Sequence, residues 1–73
     1  MQVQIVMDHT GDTRHEFNDG DQAGLAEAEK LFMELTGAGF TAAKRMGNGM
    51  SKLISTFDPT AEETLFFPRL IAG

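Results

Sequence analysis

The densest polar cluster in the chain is Asp8, His9, Asp12, His15 and Glu16, carboxylates and imidazoles of the kind that hold divalent metals or move protons. Their spacing matches no established metal motif, and side-chain alternation along a strand puts His15 on the opposite face from Glu16. The reading that fits is a solvated turn with one half-buried histidine, and neither a metal nor a cofactor is expected. Nucleophilic catalysis would draw on Ser51 or Ser55 with His9 or His15, and nothing in their spacing orders a triad. Glu62 and Glu63 are adjacent, so on a helical turn their carboxylates diverge instead of converging for acid and base work. Gly47, Asn48 and Gly49 lack the lysine and hydroxyl residue of a phosphate loop and read as a hairpin turn. The chain is therefore not expected to be an enzyme.

The scaffold for these residues is small. At 73 residues, 41% hydrophobic and 23% charged, the chain has the length and composition of a single globular domain covering residues 1–73. Eleven acidic side chains against six scattered basic ones give a formal charge of −5, which argues against nucleic acid as a ligand. No apolar run nears the ~20 residues of a membrane span, so no membrane partner is expected and a soluble, cytoplasmic protein is. The absence of cysteine removes disulfides, thiol catalysis and thiolate zinc sites together.

Local patterns predict an α+β order of strand, strand, helix, strand, strand, short helical turn, strand. Val3, Ile5 and Met7 alternate with Gln2, Gln4 and Val6, and residues 13–17 resume beyond Gly11. A three-residue loop, His9 to Gly11, pairs Ile5 with His15 and Val3 with Phe17, which puts Val3, Ile5, Met7 and Phe17 on the helix-facing side. Asp21 is an N-cap for a helix running to about Thr36, with Leu25, Ala28, Phe32 and Leu35 on its apolar face and Gly37 as its left-handed cap. A second hairpin joins residues 40–46 and 51–57. A two-residue turn at Asn48 and Gly49 puts Phe40, Ala42, Leu53 and Phe57 on the core face, and a three-residue loop over Gly47, Asn48 and Gly49 is the alternative. Asp58, Pro59 and Thr60 open a helical turn, with Thr60 and Glu63 as a capping box. The apolar residues from Leu65 to Ile71 form a final strand that Pro68 confines to an edge, a bulge or an exit. They cannot all face inward from one strand, so either Leu70 and Ile71 pack on the domain or the tail is a recognition element.

The element order and several short motifs resemble the ubiquitin-like β-grasp family. Thr10, Gly11, Asp12 and Thr13 are similar to its first turn, with Asp12 in place of a basic residue. Gly39 and Phe40 stand at the helix exit, and Arg69, Leu70, Ile71, Ala72 and Gly73 resemble its Arg-Leu-Arg-Gly-Gly tail, with Ile71 and Ala72 as departures. The resemblance implies a mixed sheet packed on one helix, a flexible tail over about residues 69–73, and a protein modifier or sulfur carrier. Gly73, preceded by Ala72, would be the residue activated as an acyl adenylate, because glycine has no side chain to obstruct a narrow channel. Arg69, Leu70 and Ile71 would contact the protein partner, an activating enzyme or a target. The competing expectation is a noncovalent interaction module that holds a partner chain on a sheet face or an open strand edge.

Overall fold

A computed structural model describes residues 1–68, in which two hairpins flank a helix and a fifth strand closes the sheet between them. The strands are β1 (Gln2–Asp8), β2 (Gly11–Phe17), β3 (Phe40–Arg45), β4 (Ser51–Ile54) and β5 (Glu63–Pro68), and α1 spans Gln22–Gly37. Their order across the sheet is β2-β1-β5-β3-β4, with β1 and β5 parallel and the other neighbours antiparallel. The result is an α+β fold with a five-stranded mixed sheet against one helix, which fits a β-grasp-like class. Arg69, Leu70, Ile71, Ala72 and Gly73 lie outside the described residues.

Helix α1 starts where Asp21 accepts a hydrogen bond from the Ala23 amide at 3.2 Å. Its apolar stripe buries Ala28 and Phe32, as the spacing predicts, with Leu25, Leu31 and Leu35 half-buried beside them. The exit differs from expectation. Gly37 is the last helical residue, Ala38 caps at φ −86°, and Gly39 takes the left-handed conformation at φ 101°. The core is Phe32, Ala42 and Phe66, enclosed by Val6, Leu35, Phe40, Ile54 and Phe57. Phe32 meets Phe66 edge-on at 5.7 Å between ring centroids and Phe57 at 5.9 Å.

The first hairpin departs from the expected register by one residue. The loop is His9 and Thr10 alone, so Asp8 pairs with Gly11, Gln4 with His15 and Gln2 with Phe17. Asp8 holds this short loop through its Oδ1, which accepts from the Thr10 amide at 2.8 Å and the Thr10 hydroxyl at 2.5 Å. A one-residue slip exchanges the faces of a strand. Gln2, Gln4 and Val6 therefore face the helix with His15 and Phe17, while Val3, Ile5 and Met7 face away.

The second hairpin takes the three-residue alternative. Met46 and Met50 close the loop, with the Met46 amide donating to the Met50 carbonyl at 2.6 Å and Gly49 at φ 84°. Ala42 then pairs with Ile54 and Ala43 with Leu53, so Ile54 joins the core and Leu53 points out from it, 68% exposed. Residues 58–61 form a hydrogen-bonded turn in place of the expected helical one. Asp58 Oδ1 accepts from the Thr60 amide and hydroxyl, and Glu63 enters β5 instead of completing a capping box. Pro68 is the last residue of β5, where its missing N–H costs no internal ladder bond.

Candidate functional site: the open face of the sheet

Each strand has one face toward α1 and one away from it, and the two differ in an unusual way. On the helix side Gln4 is wholly buried, yet both ends of its amide are used: Nε2 donates to the Ala28 carbonyl at 2.9 Å, and Oε1 lies 3.0 Å from His15 Nδ1. Gln2 Oε1 accepts from the Asp19 amide at 3.0 Å. Among the described residues no buried side-chain nitrogen or oxygen lacks a partner. His15 is thus the half-buried histidine of the cluster, stacked beside Phe17, whereas His9 is exposed in the turn.

The face away from the helix carries the aliphatic and aromatic residues that the slipped register moves there. One row across the sheet reads Arg14, Ile5, Leu65, Ala43 and Leu53. The neighbouring row pairs Asp12 with Met7 and Thr41 with Phe67, and Val3 lies on the other side next to Glu63 and Glu16. Val3, Ile5, Met7, Leu65 and Phe67 are half-buried by one another, and no element covers them among the described residues. With strands about 4.8 Å apart and residues rising about 3.4 Å, the band measures about 14 Å in each direction. Its margin is polar: Asp12, Arg14 and Glu16 along β2, and the Arg45–Glu63 pair at 2.8 Å.

The electrostatics elsewhere are structural. Lys44 faces Lys52 across β3 and β4, a like-charge pair relieved by Asp58, whose Oδ2 lies 2.8 Å from Lys44 Nζ. The Lys44 ammonium, helped by Thr60, holds the Asp58 carboxyl well below the ordinary carboxylate range. Asp8 is likewise lowered, first by the Thr10 hydroxyl and then by its amide. A cleft of about 670 Å³ at this end of the sheet is lined by Lys44, Arg45, Asp58, Glu62 and Glu63; Lys44 pairs with Asp58 and Arg45 with Glu63, and Glu62 makes no ion pair among the described residues.

Among the described residues no three His, Asp or Glu side chains gather in a geometry that could hold a metal ion. Ser51 and Ser55 lie on and beyond β4, at the opposite side of the sheet from β2 with His15, so the structure does not bring that nucleophile and base together. The residues expected to carry tail chemistry and docking, Gly73 and Ala72 with Arg69, Leu70 and Ile71, are outside the described residues. Comparison with protein-family models, with curated proteins and with solved structures finds no match. No helix among the described residues is long and apolar enough to cross a membrane.

The open face was hidden in the sequence because Val3, Ile5 and Met7 read as the core side of β1. One signal did point to it. Leu65, Phe66 and Phe67 are consecutive, so any strand through them presents apolar side chains on both faces.

Proposed function

We propose that this chain is a noncatalytic, ubiquitin-like β-grasp module that binds a protein partner on the open face of its sheet. The observation that carries this reading is the half-buried apolar band of Ile5, Leu65 and Phe67, which no element covers among the described residues, extended to the β4 edge by the exposed Leu53. An apolar centre with a charged margin is the anatomy of a protein interface, and left in water it would only be a liability.

A second reading shares the fold and adds chemistry: conjugation or sulfur carriage through Gly73. It is favoured by the placement of β5, which lies at the centre of the sheet and ends at Pro68, immediately before Arg69. In that reading Gly73 carries a free carboxylate, which is adenylated and then passed on as a thioester or thiocarboxylate, with Arg69, Leu70 and Ile71 as docking contacts.

One experiment separates the two. The protein is recovered from its own cells as wild type, as a variant lacking Ala72 and Gly73, and as a Leu53→Asp, Leu65→Asp variant shown to be folded. Each is analysed by intact mass spectrometry and for copurifying protein. A partner that survives removal of the tail and disappears with the face substitutions supports binding on the open face. Adducts, or a sulfur-for-oxygen mass change, that vanish with the tail support the second reading. A partner unaffected by the face substitutions overturns the first.

A further inference from the structure

We propose that β4 pairs antiparallel with β4 of a second copy of this chain, joining two sheets into one about a twofold axis at Leu53. The contact is a strand edge, separate from the open face, and its effect is to set two open faces side by side.

Among the described residues β4 pairs with β3 and with no other strand, and Ser51, Lys52 and Leu53 are exposed. The phase of the β3–β4 ladder decides which of its backbone groups are free. The Met46 amide donates to the Met50 carbonyl, so the hydrogen-bonded pairs that follow by alternation are Lys44 with Lys52 and Ala42 with Ile54. Ser51 and Leu53 fall between them, and their N–H and C=O groups point out from the sheet. A twofold contact needs a free donor and a free acceptor on the residue at its axis. Leu53 has both, so Leu53 of each copy donates to and accepts from Leu53 of the other.

Charge and packing select the same register. An axis at Lys52 is ruled out twice, because its backbone groups are taken by β3 and its ammonium would face its own copy. With the axis at Leu53, Lys52 lies beside Ile54 of the second copy, where its methylene stem covers apolar surface and its charge stays in water. Each chain carries −5, yet residues 38–57 hold no carboxylate, and Asp12 and Glu16 lie on β2 at the far side of the sheet. Of the basic side chains there, Lys44 is paired with Asp58 and Arg45 with Glu63, which leaves only Lys52 unpaired at the contact. The row Ile5, Leu65, Ala43 and Leu53 then runs on through Leu53 of the second copy into the same row reversed, doubling the apolar band. Two four-residue strands bury little area, so the dimer is weak and forms as concentration rises.

The test uses the whole chain, whose lack of cysteine lets single cysteines report the register. Leu53→Cys is expected to form a disulfide dimer under mild oxidation, since hydrogen-bonded cross-strand residues stand about 5.5 Å apart at Cα, within disulfide reach. Lys52→Cys, displaced from the axis, is expected not to. Sedimentation equilibrium of the wild type is expected to give a monomer–dimer Kd on the order of 0.1–1 mM. Added salt should tighten it, because both copies are acidic. Leu53→Pro removes only an outward N–H and suits an edge strand, so it is expected to abolish the dimer and leave the urea midpoint close to that of the wild type. Leu65→Asp, shown to be folded, is expected to dimerise like the wild type, so failure of the open-face reading leaves this one standing. A monomer at about 1 mM, equal cross-linking by the two cysteine variants, or undiminished dimerisation of the proline variant would each overturn the proposal. So would a dimer that salt weakens, which would mark attraction between the basic hairpin of one copy and the acidic side of another.

Discussion

At the residue scale, Gln4 and Asp58 show polar groups positioning the fold. Gln4 stands where an aliphatic side chain would serve if burial alone mattered, and its two hydrogen bonds tie β1 to both α1 and β2. Polarity at such a site is tolerated because an amide satisfied at both ends avoids the cost of about 1–3 kcal/mol for a buried group left without a partner. Asp58 joins Lys44 of β3 to the turn before β5. Its carboxyl is depressed in the folded state relative to the unfolded chain, so its contribution is full above the ordinary carboxylate range and is lost as pH falls through and below it. Lys44→Met is therefore expected to lower stability by about 1 kcal/mol at pH 7. The difference from wild type should shrink progressively from about pH 5 to about pH 2. Urea unfolding across that range measures it, and a difference independent of pH would refute the assignment.

At the scale of elements, the register of β1 decides what the molecule presents to solvent. Val6 belongs to the core and Ile5 to the open face. Val6→Asp is expected to cost at least about 3 kcal/mol and Ile5→Asp less than about 1, both read from urea midpoints. The opposite order would mean that the strand is paired one residue away. Much of the element order was legible beforehand, because its signals are local: Asp21 as a cap, the helical spacing of Ala28 and Phe32, and the glycines of the second turn. Register is less local. Choosing between the two sides of β1 depends on whether His9 to Gly11 or His9 and Thr10 alone make the loop, and on whether a buried glutamine finds partners. Those partners, Ala28 and His15, are separated from Gln4 by 24 and 11 residues and come together only in the folded chain. The candidate site depends on that register: Val3, Ile5, Met7 and Leu53 read as interior residues in the sequence, whereas Leu65 and Phe67 belong to a run that cannot all face inward.

For the whole molecule, the parallel pairing of β1 with β5 governs cohesion. Val3 pairs with Glu63 and Val6 with Phe66, so the centre of the sheet is built from segments far apart in sequence. A chain ending at residue 62 loses β5, the neighbour that β1 and β3 share, and with it Phe66 from the core. It is expected to lack a cooperative urea transition and to show a disordered far-ultraviolet circular dichroism spectrum. A native-like transition would show that the two hairpins and α1 hold together unaided. The same pairing has a consequence during synthesis. While the nascent chain is still short of β5, the hairpins have emerged with no strand between them and their apolar sides uncovered, so closure of the sheet is a single late event. The apolar band of the finished sheet is itself completed only in that event, because Leu65 and Phe67 arrive with β5.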